Sequence, residues 1–118
     1  MKIWNFGIAG SGLIADFHAR AITSLPNARL VGICGTNKMK TQSLALKYSC
    51  RAFADSDSMI SSPDIEIITI ATPSGAHMEP AISAARNVKH VLCEKPLEIS
   101  AERMDRMIAA HEKAGTRL

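Results

Sequence analysis

The sequence predicts an α/β fold of the doubly wound kind, with helices covering both faces of one parallel sheet. Three observations carry this: short apolar runs alternate with longer segments of helical period, the alternation continues along all 118 residues, and a glycine turn separates the first run from the first helix. Ile3 to Ile8 reads as a strand. A helix from about Gly12 to Ser24 follows, with Leu13, Phe17, Ala21 and Leu25 at helical spacing as its apolar stripe, and Pro26-Asn27 is the turn back. Arg29 to Cys34 is a second strand, Lys38 to Tyr48 a second helix, and Arg51 to Phe53 a brief third strand. A helical turn around Ser56 to Ile60 stops at Ser61-Ser62-Pro63-Asp64, because proline cannot continue it. Ile65 to Ala71 is the most apolar strand, Gly75 to Arg86 a helix, and Lys89 to Cys93 a fifth strand. Ser100 is an N-cap for a last helix to about Ala114, closed by Gly115. Met104, Met107 and Ile108 recur on that helix at the spacing of core residues.

Strands separated by helices of these lengths require right-handed crossovers and give the strand order 3-2-1-4-5. A sixth strand is expected to begin about where Thr116-Arg117-Leu118 stops, so the sheet should lack its last strand and residues 1–118 read as one domain belonging to a longer polypeptide.

Composition narrows the class. A 47% hydrophobic content is ordinary for a soluble core, no secretory signal or membrane-length apolar run occurs, and the expected location is cytoplasmic. Cys34, Cys50 and Cys93 are too few and too scattered for a disulfide framework or a zinc site, so buried thiols and no metal are expected. The net charge of +3 and 4% aromatic content argue against nucleic acid. The charge is uneven, however: no acid lies between Asp16 and Asp55, a stretch that carries Lys38, Lys40, Lys47 and three arginines. Such a half fits an anionic ligand or a solvated face.

Gly10-Ser11-Gly12-Leu13-Ile14-Ala15 has the form G-x-G-x-x-A between a strand and a helix. Gly10 permits the tight turn, Gly12 lets a phosphate approach the backbone, and Ala15 allows close helix–strand packing. The free N–H groups of the helix start then face the anion, with the dipole adding about 0.3–1 kcal/mol. Such a turn alone is weak evidence; its place in a βαβ unit makes it a dinucleotide site. NAD-binding units hold the ribose 2′-hydroxyl with an acid about 20 residues further on. Here that place reads Cys34-Gly35-Thr36-Asn37-Lys38-Met39-Lys40. Without a carboxylate, and with Thr36, Asn37, Lys38 or Lys40 as donors, NADP(H) is expected over NAD(H).

Two further motifs complete a pattern: Ala71-Thr72-Pro73-Ser74-Gly75-Ala76-His77 after the fourth strand and Cys93-Glu94-Lys95-Pro96-Leu97 after the fifth. With the glycine turn they resemble the N-terminal Rossmann domain of the Gfo/Idh/MocA oxidoreductases, over essentially the whole chain. The resemblance implies that Gly10, Ser11, Gly12, Leu13 and Ile14 hold a pyrophosphate, that Ala71, Thr72 and Pro73 run beside the nicotinamide and its ribose, and that His77 lies near the cofactor. It also implies that Glu94 and Lys95 project toward the nicotinamide, Lys95 as the catalytic group meeting a sugar or polyol substrate. Relatives preferring NAD commonly carry Asp at the place of Gly35, and some NADP-using relatives carry a small residue there with a lysine matching Lys40.

Taken alone, Glu94-Lys95-Pro96 reads as a surface ion pair beside a rigid proline, with Pro96 a candidate for a cis bond. His18, His90 and His111 read as packing or solvated histidines, and Asp16 and His18, two apart on a helix, form no acid–base pair. A non-catalytic nucleotide-sensing module of the same fold is the second expectation, and a methyltransferase is disfavoured by Gly35. The domain that completes the site in the resembling family has no counterpart in these residues, so cofactor binding without turnover is expected. Oligomeric state, a homo-oligomer included, is not legible.

Overall fold

A computed structural model describes residues 1–118. The elements are β1 (Trp4–Ala9), α1 (Leu13–Thr23), β2 (Ala28–Cys34), α2 (Lys38–Lys47), β3 (Arg51–Ala52), α3 (Ser56–Ile60), β4 (Ile67–Ile70), α4 (Met78–Arg86), β5 (His90–Cys93) and α5 (Ala101–Ala114). The strands pair in parallel in the order β3-β2-β1-β4-β5, as the alternation predicts. Past α5, the Arg117 carbonyl accepts from Val91 N–H at 2.9 Å, so the chain there runs along the outer edge of β5.

Side-chain alternation along the strands feeds two cores. Ile8 and Ile33 join Ala15, Ala19 and Ile22 of α1 and Leu44 of α2 on one face. Their neighbours Ala9 and Cys34 join Ile68, Ile70 and Val91 on the other face, against Met59 and Ile60 of α3, Met78, Ala81 and Ala84 of α4, and Met107 of α5.

The stripe expected on α1 faces the wrong way. Leu13 is 70% and Phe17 49% exposed, with Ala21 and Leu25 also in solvent, while Ala15 and Ala19 are fully buried. The tight turn at Gly10 brings α1 so near the sheet that only its small residues fit underneath. On α5 only Met107 reaches the core; Ile108 is exposed and Met104 half-buried. The buried place on that helix goes instead to His111, whose Nε2 lies 2.9 Å from the Ala81 carbonyl and Nδ1 2.7 Å from Thr116 Oγ1. A neutral ring donating from Nε2 satisfies both contacts, and burial holds its pKa below 6.5.

Gly32 is where a side chain, the Phe53 ring, presses closest on a strand backbone. A Cβ there would overlap Cε2 of the Phe53 ring and lie 3.0 Å from the Arg51 carbonyl. Gly32→Ala is therefore expected to cost about 1–3 kcal/mol of overpacking. Thermal unfolding followed by circular dichroism should show a midpoint several degrees lower; an unchanged midpoint would mean the Phe53 ring has room to retreat.

Candidate nucleotide-binding site

At the carboxyl edge of the sheet the strand hydrogen bonds continue into the loops. Gly10 N–H donates to Cys34 O at 2.8 Å, Ala71 N–H to Ala9 O at 2.8 Å, and Glu94 N–H to Ile70 O at 3.0 Å. These three bonds align the turns after β1, β2, β4 and β5, where strand order reverses and open α/β sheets bind ligands. The cleft above them measures about 750 Å³. Among its lining residues are Gly10, Ser11, Gly12, Gly35, Thr36, Asn37, Lys40, Ala71, Thr72 and Pro73. Ten of the residues singled out in the sequence thus meet in one place.

Helix capping distinguishes the end of this cleft. Asn37 accepts from Lys40 N–H at 3.0 Å, Asp55 from Ser58 N–H at 2.7 Å and Ser100 from Arg103 N–H at 3.3 Å, capping α2, α3 and α5. The first amides of α4, those of His77 and Met78, donate to Glu98 Oε2 at 3.1 and 2.7 Å. Only α1 starts on a glycine, Gly12, with no side-chain cap, and a Cβ at Gly12 would touch nothing within 4 Å. Unsatisfied N–H groups over open space are the geometry of an anion site. The residues present therefore fit a dinucleotide pyrophosphate.

Other expected residues stand elsewhere. Leu13 and Ile14 open α1 with their side chains in solvent and are not among the residues lining the cleft. His77, Glu94 and Lys95 do not line the cleft. His77 is buried, its Nε2 2.8 Å from Thr72 O and its Nδ1 2.9 Å from Pro96 O, so the ring ties the β4–α4 turn to the β5–α5 turn. The Lys95–Pro96 bond is cis. Glu94 does not pair with the Lys95 side chain: Oε1 meets His18 Nε2 at 2.8 Å, and Oε2 accepts from Lys95 N–H at 3.2 Å. The His18 imidazole holds the Glu94 carboxyl below its usual range. Lys95 stays exposed, with its ammonium in no ion pair.

Asp16 forms no pair with His18, as expected, and is held by Lys47 at 3.1 Å and by the Tyr48 hydroxyl. Sequence reasoning missed two things here. His18, assigned to packing, reaches across from α1 to Glu94, a contact between residues 76 apart that no local pattern reveals. The β3–α3 turn adds Ala54, Asp55, Ser56 and Asp57 to the cleft, although no motif marks them. The cysteines are free thiols, with burial pushing each up to about 11.

A parallel 3-2-1-4-5 sheet with an uncapped glycine turn at its switch point defines a nucleotide-binding domain of the doubly wound class. The chain belongs to the Gfo/Idh/MocA oxidoreductase family: residues 4–118 match the model of its NAD-binding Rossmann fold. It is 36% identical over 111 residues to glucose-6-phosphate 3-dehydrogenase of Bacillus subtilis, covering 94% of this chain and 31% of that protein. Identity to 2,7-anhydro-N-acetylneuraminate hydratase of Escherichia coli is 33%, over 94% of this chain and 29% of that protein. Among solved structures, the WlbA dehydrogenase of Bordetella pertussis in complex with NADH and UDP-GlcNAcA superposes with a TM-score of 0.95 at 34% identity, over all of this chain and 36% of that one. The chain thus spans about a third of the length of the curated relatives it matches. No helix is long and apolar enough to cross a membrane.

Proposed function

We propose that this chain is the cofactor-holding domain of a longer NADP(H)-dependent oxidoreductase acting on a sugar, polyol or related alcohol. The observation that carries the reading is the uncapped start of α1 over open space at Gly12, in a fold whose other helix starts are satisfied. Backbone N–H groups from Gly12 onward hold the pyrophosphate. The Ala71-Thr72-Pro73 turn, tied from behind by His77, lies beside the nicotinamide ribose. A bound nicotinamide supplies or accepts the hydride. Lys95, with no carboxylate partner of its own, binds the substrate oxygen and stabilises charge developing on it. The substrate class rests on the dehydrogenase and hydratase relatives, both named for sugar derivatives.

NADP(H) over NAD(H) follows from Gly35 and Lys40. Asn37 commits Oδ1 to capping α2, which leaves its amide N–H₂ and the Lys40 ammonium to meet a 2′-phosphate. Titration of the chain with NADPH and NADH at fixed ionic strength should give about tenfold to hundredfold tighter NADPH binding. Lys40→Ala should remove most of that difference while leaving NADH unchanged; equal affinities in the parent chain would reject the preference. The isolated chain should oxidise no sugar. In the full-length polypeptide, product formation and cofactor reduction are read separately, because one relative is a hydratase; binding without either signal would mark a sensing module.

A further inference from the structure

Away from the cleft, α4 and α5 enclose a second hollow of about 530 Å³ on their solvent side. Its floor is apolar, with Ile82 and Ala85 from α4 and Ala110 and Ala114 from α5. Its rim is cationic. Arg86, Arg106 and Lys113 are exposed, lie in no ion pair and meet no acid among the lining residues. Glu102, Asp105 and Glu112, the acids of α5, stand outside the hollow. Val88 extends the apolar surface at one end. It follows α4 in the left-handed region at φ +57°, its N–H donating to Ala85 O at 2.9 Å, and it is 68% exposed. A β-branched residue is strained in that conformation, whereas α5 closes on Gly115 at φ +72°. The valine side chain thus strains the fold without being buried by it.

We propose that this groove docks an acidic amphipathic helix of a separate protein partner. The apolar stripe of such a helix lies on the alanine floor and against Val88, and its carboxylates meet the rim. Arg106 and Lys113 are two turns apart on one face of α5, about 10 Å along its axis, so acids seven residues apart on the docked helix reach both. Arg86 holds the opposite side. A second copy of the chain is disfavoured, because a two-fold contact brings the same three cations onto one seam. A bilayer is disfavoured too, since of the apolar lining only Val88 and Ala109 are exposed, too little to insert. The groove gathers about the last turn of α4, at the amino edge of the sheet, and the nucleotide cleft lies at the carboxyl edge. A domain that completes the site around Lys95 works at that other edge, which leaves the groove to another molecule.

The probe is a fluorescein-labelled peptide of about 18 residues, five helical turns, with leucines at helical spacing flanked by glutamates seven apart. Its controls are the same composition in scrambled order and a version with lysine for each glutamate. Fluorescence anisotropy with the 118-residue chain should show micromolar binding at low salt, at least tenfold tighter than either control and weakened at about 1 M salt. Arg106→Glu with Lys113→Glu should lower affinity at least tenfold and favour the lysine version instead, a reversal that misfolding cannot produce. Val88→Gly should raise the unfolding midpoint by a few degrees yet weaken peptide binding about threefold or more. NADPH affinity should be unchanged in every variant. Absence of binding, equal binding of the scrambled peptide, or affinities unmoved by these substitutions would overturn the proposal. Phosphatidylserine vesicles that bind the chain through the same cations while the peptide does not would assign the face to a membrane, and chain dimers that compete with the peptide would assign it to a second copy; either overturns it. The full-length polypeptide should bind the probe as the chain does, and loss of binding there would give the groove to the polypeptide's own remainder and overturn the separate partner.

Discussion

Replacing Gly10 by alanine is expected to remove nucleotide binding, at least a hundredfold in affinity, and to lower the unfolding midpoint in the same variant. Gly10 has φ +123°, a conformation that L side chains rarely adopt. A Cβ there would stand 2.6 Å from the Ala71 carbonyl oxygen and 2.8 Å from its carbon. Both are backbone atoms of the neighbouring turn, so no rotamer relieves the contact. The turns after β1 and β4 must part, which strains the bond from Ala71 N–H to Ala9 O and moves the α1 amides off the phosphate. Backbone strain and overpacking together cost about 3 kcal/mol, equivalent to a midpoint drop of roughly 12 °C in a domain of this size. Gly12→Ala is the matched control. Its Cβ meets nothing within 4 Å, so stability should hold while NADPH binding falls, because the methyl enters the space the phosphate uses. Fluorescence titration and thermal unfolding of both variants check the pair, and a Gly10→Ala chain that binds NADPH within threefold of the parent rejects it.

Glu98→Ala is expected to destabilise the chain by about 3 kcal/mol. The Glu98 side chain is fully buried, where an acid is rare without partners. Oε2 accepts from His77 and Met78 N–H, Oε1 from Ile99 N–H at 2.8 Å, and Arg103 Nη2 lies 3.4 Å away. Alanine would orphan the first amides of α4 and loosen the His77 ring that joins the Thr72 and Pro96 turns. The same cluster predicts a pH dependence. Burial raises the Glu98 carboxyl pKa, but the Ile99 and Met78 amides and Arg103 outweigh it and leave it below 4.5. A carboxyl depressed on folding contributes stability above its unfolded pKa and loses it as pH falls through the folded value. Stability should therefore decline below about pH 4.5, and Glu98→Gln should flatten that decline. An Ala variant with parental midpoint, or a Gln variant with the parental acid limb, would show that Glu98 does not hold this corner.

Most of the architecture was legible because its signals are local. Ser100 and Gly115 bracket α5 as read, the first through its hydroxyl and the second through φ +72°. Ser56 to Ile60 also stands where the proline stop placed its end. The glycine turn, the Thr-Pro turn and the strand-two loop converge on one cleft because parallel strands put all their carboxyl ends on one edge. The β3–α3 turn joins that cleft unannounced, since Asp55 and Ser56 read locally only as a helix start.

By itself the sequence determined the element order, the strand order and the glycine turn, since crossover handedness and turn chemistry act through neighbouring residues. Only the tertiary structure decided which stripe of α1 faces the sheet. Leu13, Phe17 and Ala21 share helical spacing, and so do Ala15, Ala19 and Ile22; periodicity cannot choose between them, whereas the closeness of helix and strand at Gly10 can. The tertiary structure also brought His18 to Glu94, and Ser11 against the place where a side chain at Gly35 would stand. Those contacts join distant segments through the packing of separate strands, and contact at that range depends on how the layers stack rather than on any pattern along the chain.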